Sequence, residues 1–239
     1  MIILISGGEG RFAKELIKQN TDHTIIPLSK HEMDITNPLS IDNAIKKYTP
    51  DVFIHAAALS RPMNIHDSNP ITSIQLNIIG TSNCIISCIT HNIKFVYIST
   101  DFVYPGIKGN YKESDGVYPV NKYAWSKLGG ECASILYNNS LILRMAMLEY
   151  PFTHDKAFVD SFKSCIWHHD AAKLLYKLLE KDAKGIYNVG LKRNSIYNFV
   201  KQKNINILRE YKNNISENIP KDISMNIDKL NNIIDDTII

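Results

Sequence analysis

Ile2-Ile3-Leu4-Ile5-Ser6-Gly7-Gly8-Glu9-Gly10-Arg11-Phe12-Ala13 is the stretch on which the fold turns. Residues 2–6 form a continuous apolar run of the kind that lies in a sheet covered on both faces. Gly7-Gly8 interrupts it, and residues 11–19 carry apolar side chains at helical spacing. A strand, a glycine turn and a helix in this order aim the N–H groups of the helix N-terminus at the carboxyl end of the strand, where a phosphate can sit. Gly7 suits the tight turn, Gly10 lets a pyrophosphate approach the backbone, and Ala13 is small enough for close helix–strand packing. The spacing is G-x-x-G-x-x-A, and its position between strand and helix is what makes it informative.

Outward from this turn the chain alternates. Short strands are expected at 24–28, 51–55, 95–99 and 140–144, with helices at 41–48, at 70–91 through Ile74, Ile78, Ile85 and Ile89, and around Tyr123. Strands that are apolar throughout, separated by helices, indicate an α/β fold with a doubly wound parallel sheet of Rossmann type. After Met145 the regularity weakens: one clear helix at 170–181, a short strand at 185–190, and an Asn-rich tail from Asn204 with scattered apolar anchors. The expected division is a dinucleotide-binding domain at 1–145 and a small substrate-binding lobe at 146–239, packed over the carboxyl edge of the sheet.

Composition narrows the class. The 239 residues, 44% hydrophobic and 21% charged, are enough for one large core without disulfide or metal staples, and they exclude disordered and collagen-like chains. Scattered charge, 27 basic against 24 acidic residues for a net +3, leaves no footprint for nucleic acid. Ile, Lys and Asn abound beside only five Arg, a bias that follows AT-rich codons and makes Ile runs and Asn clusters less telling. Cys84 and Cys88, four apart on an expected helix, read as buried core thiols, because no matching Cys or His pair lies nearby. The apolar run at 1–5 is too short for a signal segment, and no stretch approaches the roughly 20 apolar residues that span a bilayer, so a soluble, cytoplasmic protein is expected. Trp167-His168-His169-Asp170 reads as a helix start with Asp170 as N-cap and partly buried histidines, and no metal site is expected.

Two further places carry chemistry. An acidic residue after the second strand would hold the ribose 2′-hydroxyl of NAD; here Ser29-Lys30 stands there, with no carboxylate until Glu32. A cation without the acid favours a 2′-phosphate, hence NADPH over NADH, and Arg11 could reach the same phosphate. Tyr123-Ala124-Trp125-Ser126-Lys127 puts a phenol and an ammonium one helical turn apart on one face. The ammonium favours the phenolate, and such a tyrosine can protonate a carbonyl oxygen as hydride reaches its carbon. Ser99-Thr100-Asp101 ends the strand between turn and helix.

With these pieces assembled, the chain resembles the extended short-chain dehydrogenase/reductases, and within them the dTDP-4-dehydrorhamnose reductases. Residues 2–13, 28–38, 50–58, 77–81, 98–104 and 123–131 carry the likeness, which is dense to about 144 and patchy through 185–189 and the tail Pro220…Ser224…Asp228-Lys229-Leu230. The resemblance implies reduction of the C4 keto group of a nucleotide-linked 4-keto-6-deoxyhexose, on dTDP or UDP, giving an L-rhamnose-type sugar. It implies Tyr123 as general acid, Lys127 on the nicotinamide ribose, Thr100 on the keto oxygen and Asp101 beside the sugar. Gly10-Arg11-Phe12 would lie on the pyrophosphate, Asp34-Ile35 near the adenine, and Ala56-Ala57-Ala58 along the cofactor. A 4,6-dehydratase and a 3,5-epimerase would act upstream. Members of the wider family pair through helices flanking the Tyr-Lys helix, although no apolar stripe here selects a homodimer.

The chain departs from that family in three places. Relatives that also epimerise carry a further acid/base, usually a cysteine, two residues after the catalytic Ser/Thr; Phe102 stands there, so reduction without epimerisation is expected. Met147 replaces a tryptophan near the sugar, and the stretch between Phe158 and His168 is shortened. A 2-acetamido-2,6-dideoxy-4-keto sugar on UDP is therefore an alternative substrate. A non-catalytic regulatory subunit, like the β subunit of methionine adenosyltransferase, is an alternative of another class, opposed by intact Thr100, Tyr123 and Lys127.

Overall fold

The computed structural model describes residues 1–19, 22–214 and 219–234. Parts of the Asn-rich tail, at 215–218 and 235–239, lie outside the described residues. The elements run β1 (Ile2–Ser6), α1 (Arg11–Lys18), β2 (Thr24–Leu28), α2 (Pro38–Tyr48), β3 (Val52–His55), α3 (Ile65–Ser68), α4 (Pro70–Ser73), α5 (Thr81–Thr90), β4 (Lys94–Thr100), α6 (Lys122–Ile135) and β5 (Ser140–Leu148). There follow β6 (Lys156–Phe158), β7 (Phe162–Lys163), β8 (Cys165–Trp167), α7 (His168–Glu180), β9 (Gly185–Val189), β10 (Asn194–Ser195), α8 (Ile196–Lys201), β11 (Leu208–Glu210) and α9 (Asp228–Ile234).

The main sheet has the order β2-β1-β3-β4-β5-β8, with β9 also paired to β5; β1 is parallel to both β2 and β3, β3 to β4, and β5 to β8. This is the expected α/β architecture. The order reverses between β1 and β3, and at such a switch point the crevice outside the strand ends is where open α/β sheets take ligands. The turn after β1 and the Ala56-Ala57-Ala58 segment after β3 both lie there.

Two compact units divide the chain, and both are discontinuous. The first holds Met1–Ser99, Asn121–Leu143 and Ala183–Ile186; the second holds Thr100–Val120, Arg144–Asp182 and the chain from Tyr187 on. Leu4, Phe53, Phe95 and Tyr97 centre the first core, against Ile41, Ile45, Cys84, Ile85 and Cys88 of α2 and α5. Ala157, Cys165, Trp167, Tyr197, Phe199, Val200 and Ile207 form a core in the second. Residues 100–120, which the sequence pattern alone puts with the first domain, group with the second unit for visible reasons. Tyr104 stacks on Tyr111 at 4.8 Å, Arg144 Nη1 donates to Tyr104 Oη at 2.8 Å, and Asn188 Nδ2 donates to the Tyr111 carbonyl at 2.8 Å. Tail residues Ile223, Met225 and Leu230 are buried.

The helix expected at 70–91 is one helical run with a changed middle: α4 leads into a π-helical stretch, Ile74–Gly80, before α5. A π-turn adds a residue to the turn and shifts the buried face along the chain, so Ile85 is buried while Ile74 and Ile89, which regular helical spacing puts on the same face, are exposed. The helix at the end of β8 begins at His168 rather than after Asp170. Its N-cap is Trp167, with no side-chain cap, and Asp170 lies in the first turn, 3.2 Å from His169 Nε2 and 3.5 Å from Lys173 Nζ. Because β8 runs directly into the helix, the extended backbone an N-cap needs is already supplied by Trp167, displacing Asp170 from that role. Cys84, Cys88 and Cys165 are buried free thiols and Cys132 is exposed. No helix among the described residues is long and apolar enough to cross a membrane.

Helix α6 approaches the sheet through Gly130, where a methyl group would stand 2.5 Å from Tyr97 Oη and 2.8 Å from the Asn77 carbonyl oxygen. Gly130→Ala is expected to destabilise the chain by about 1–3 kcal/mol despite the better helix propensity of alanine. Urea denaturation measures it, and a stabilised variant would refute the close packing.

Candidate active site

The turn after β1 is built as tightly as its glycines suggest. Gly7 has φ +68°, and a Cβ there would lie 2.7 Å from Ala57 Cα, so both conformation and packing exclude a side chain. Gly8 N donates to the Leu28 carbonyl at 2.9 Å, and Gly10 N to the Gly7 carbonyl at 2.8 Å. Gly10 is the N-cap of α1 without any side-chain acceptor, and the first turn carries no acidic residue. Gly10 thus brings no capping side chain of its own to the start of α1, an arrangement that suits an anion at that end. Arg11 is exposed on the first helical residue and Phe12 is buried behind it.

At the end of β2 the structure adds a feature invisible in the spacing. Glu32 folds back so that Oε2 accepts from Ser29 N at 2.8 Å and from Ser29 Oγ at 2.7 Å. These two bonds hold the Glu32 carboxyl below the usual carboxylate range. A carboxylate therefore does stand at the end of β2, beside the exposed Lys30. Asp34 Oδ1 accepts from Thr36 N and Oγ1 at 2.9 and 2.8 Å, which lowers its carboxyl, helped by Lys30 nearby. Ile35 is buried against Gly80, and Asn83 Nδ2 holds its carbonyl at 3.1 Å.

Helix α6 starts at an Asn121 cap, whose Oδ1 accepts from Ala124 N at 2.8 Å, and presents Tyr123 and Lys127 on successive turns. Lys127 is only 3% exposed, with Nζ 4.2 Å from the Tyr97 ring centroid, and Tyr97 Oη donates to the Lys127 carbonyl at 2.8 Å. Burial pulls the Lys127 ammonium down to about 7, opposed by the charge of Glu131 one turn on. His55 stacks on Tyr97 and is bonded through Nδ1 to Ser6 Oγ at 2.8 Å and through Nε2 to Thr81 Oγ1 at 3.0 Å. Burial, with Lys127 close by, pushes His55 down to about 3, so it is neutral and adds no second charge.

Asn77, in the π-turn, ties these parts together. Its Oδ1 accepts from Leu59 N at 2.8 Å, and its Nδ2 donates to the Leu59 carbonyl and to Ser126 Oγ at 2.9 and 2.8 Å. Ser126 Oγ in turn donates to the Tyr123 carbonyl at 2.7 Å. The segment after Ala56-Ala57-Ala58 and the Tyr-Lys helix are thus linked through one amide. His66 packs edge-on against Tyr123 at 5.3 Å and bonds Ser73 Oγ through Nδ1 at 2.7 Å. Spacing did not single out Asn77, Ser126 or His66. The signal for Asn77 was available as a polar residue between Ile74 and Ile78 on an apolar helix face, whereas nothing near His66 sets it apart.

In the second unit Thr100 closes β4. Its Oγ1 accepts from Phe102 N at 3.3 Å and donates to Asp101 Oδ1 at 3.2 Å. Asp101, 1% exposed, has Oδ2 3.0 Å from Lys163 Nζ, and that ammonium lies 3.7 Å from the centroid of the Phe102 ring. Lys163 is a buried cation on which sequence reasoning was silent. Met147, half-buried on β5, sits in register with Ile166 of β8. Among the described residues no group of three or more His, Cys, Asp or Glu is placed to hold a metal.

The profile of the RmlD substrate binding domain family matches residues 1–177. The dTDP-4-dehydrorhamnose reductase of Aggregatibacter actinomycetemcomitans is 32% identical over 147 residues, 59% of this chain and 50% of that protein. Methionine adenosyltransferase 2 subunit beta of Bos taurus is 29% identical over 157 residues, 61% of this chain and 46% of that protein. The matches thus span about half the length of these relatives. Among solved structures, that of dTDP-4-dehydrorhamnose reductase from Bacillus anthracis in complex with NADP aligns with a TM-score of 0.86 at 23% identity, over 96% of this chain and 91% of that one.

The depressed Lys127 fixes a sign for stability in the absence of cofactor. Between about 7 and the ordinary 10.5, the unfolded chain holds a proton on Lys127 that the folded chain has lost, so stability rises with pH across that window. Below it both states are protonated and above it neither is. The stability difference between wild type and Lys127→Met should therefore move in favour of wild type from pH 7 to 10 and stay level from pH 5 to 6. Urea denaturation across this range checks it, and parallel curves throughout would count against a buried, depressed lysine.

Proposed function

Since the chain belongs to the RmlD substrate binding domain family, we propose that it is an NADPH-dependent reductase of the C4 keto group of a dTDP- or UDP-linked 4-keto-6-deoxyhexose. The observation that carries the reading is the placement of Tyr123 one turn before a buried Lys127, on a helix tied through Ser126 and Asn77 to the loop after β3.

The glycine start of α1, where Gly10 brings no side chain, and the tight Gly7 turn fit a dinucleotide pyrophosphate, with Gly10, Arg11 and Phe12 against it. Ser29 and Lys30 would take the adenosine ribose with its 2′-phosphate, Asp34 and Ile35 the adenine, Ala56-Ala57-Ala58 the length of the cofactor, and Lys127 the nicotinamide ribose. NADPH, when bound, supplies the hydride. Tyr123 gives its phenolic proton to the C4 oxygen, and Thr100 donates a hydrogen bond to that oxygen as charge develops on it. Lys127 beside the phenol lowers the cost of the phenolate left behind. Asp101 and Met147 border the sugar. Phe102 carries no exchangeable proton, so the sugar arrives already epimerised, downstream of a 4,6-dehydratase and a 3,5-epimerase, and leaves as an L-rhamnose-type nucleotide sugar.

A regulatory role like that of a methionine adenosyltransferase β subunit is a second reading, favoured by the likeness at 29% identity. It makes no use of Tyr123 or Lys127, and for that reason we place it second.

Purified protein with NADPH and a panel of dTDP- and UDP-linked 4-keto-6-deoxy sugars, plain and 2-acetamido, is expected to consume NADPH with at least one. Tyr123→Phe should lower kcat by about 100-fold or more; equal rates would end the catalytic reading. In heavy water, the product formed from an unepimerised 4-keto sugar should carry no deuterium at C3 or C5. Label at either carbon would show epimerase activity.

Glu32 gives a separate expectation. Its carboxylate occupies Ser29 where a 2′-phosphate would lie, so Glu32→Gln should lower KM for NADPH several-fold and leave KM for NADH nearly unchanged. Equal changes for both cofactors would remove Glu32 from the discrimination.

A further inference from the structure

We infer that Lys163 is a positioning residue for this reduction, acting through Asp101 on the hydroxyl of Thr100. The inference rests on the reading of Thr100 as a hydrogen-bond donor to the keto oxygen.

Thr100 Oγ1 has one proton, and in the structure that proton is spent on Asp101 Oδ1 at 3.2 Å, while the oxygen accepts from Phe102 N. To donate to a substrate carbonyl, the hydroxyl has to turn away from Asp101. A carboxylate that is 1% exposed does not release a donor cheaply, because what remains is a buried charge with a lost partner. Lys163 changes that balance. Its Nζ stands 3.0 Å from Asp101 Oδ2, an oxygen with no other hydrogen-bond partner, so the carboxylate keeps a counter-charge when the hydroxyl leaves.

The lysine is held for the purpose from three sides. β7 pairs antiparallel with β10, Lys163 opposite Asn194 and Phe162 opposite Ser195, and Phe162 also bridges to Asp222. The Phe102 ring lies 3.7 Å from Nζ, offering its π-face to the cation. Lys163 is 9% exposed, so little water competes for the ammonium. Ammonium, carboxylate and hydroxyl thus form one line in which a change at Lys163 is felt at Thr100 without touching the reacting atoms. An ion pair that merely braces the fold would leave the hydroxyl indifferent to its loss.

The test uses the full chain with NADPH and the 4-keto sugar that wild type accepts, in four forms: wild type, Lys163→Met, Lys163→Arg and Thr100→Val. Lys163→Met is expected to lower kcat about tenfold with KM for NADPH unchanged, and Lys163→Arg, which keeps the charge, to restore most of it. Placed in the Thr100→Val background, Lys163→Met should change kcat by less than about twofold, because its route to the reaction is gone. Thermal melts of the same proteins separate a bracing role: a lowered Tm with kcat intact overturns the inference. So does a tenfold loss that persists in the Thr100→Val background. If wild type turns over none of the sugars, the reduction reading falls and the inference falls with it, whereas an active wild type and an equally active Lys163→Met overturn the inference alone.

Discussion

Burying the Lys127 ammonium is the constraint on which the arrangement of the first unit depends. A lysine 3% exposed needs a polarisable or charged surface close by, and it finds the Tyr97 ring at 4.2 Å and the Glu131 charge one turn away. Tyr97 can lie under the helix only if the next turn has no side chain there, which is the position of Gly130. Gly129 meets the same demand against Ile78 of the π-turn. Glu131, fully buried, is in turn bonded to Ser99 Oγ at 2.5 Å at the end of β4. His55, bonded to two hydroxyls, is kept neutral by its burial and by Lys127 close by, so the cation faces an aromatic neighbour and not a like charge. One buried charge therefore accounts for two glycines, a tyrosine, a histidine and a glutamate in three separate elements.

The second unit treats its buried cation differently. Lys163 touches a carboxylate directly and leans on an aromatic ring, where Lys127 leans on a ring and meets its carboxylate only at the distance of a helical turn. The difference suits their duties. In the proposed reaction, a cation that would bind a cofactor ribose and lower the cost of a neighbouring phenolate cannot be committed to a carboxylate in contact, since that partner would consume both the charge and its donors. A cation that only steadies another residue gains from that commitment.

The frame was legible because its signals are local. Continuous apolar runs, the glycine turn at 7–10 and the Tyr-Lys spacing each follow from backbone geometry within a few residues, and the parallel sheet followed from their alternation. What escaped depends on contacts distant in sequence. The π-turn is set by where the Asn77 amide must reach, 18 residues back to Leu59 and 49 forward to Ser126. The grouping of Thr100–Val120 with the second unit is set by Tyr104, Tyr111, Arg144 and Asn188, no two of which are close enough in the chain to show a pattern except the tyrosines. Glu32 lies three residues beyond Ser29 in the chain, and spacing counts residues and not the reversal that returns its carboxylate to Ser29. The cap lies at Trp167, three residues before Asp170, for a similar reason, as β8 supplies the extended residue that a cap requires.

Phe102 draws these strands into one argument about the chemistry. Read alone, it is a position where an acid or base is absent, a statement about what the site cannot do. In place, its ring carries the Lys163 ammonium and its backbone N–H holds the Thr100 oxygen. An acid/base side chain at 102 would be smaller or polar, and would take the aromatic cover from the ammonium. The pair would then be partly solvated, and its grip on the Thr100 hydroxyl would weaken as the effective dielectric rose. In the proposed reduction, the residue that leaves position 102 without an acid or base is the same one that covers the ammonium of the Lys163–Asp101–Thr100 line. On this reading, specialisation for reduction is a property of the packing around Thr100 and not the loss of a second activity.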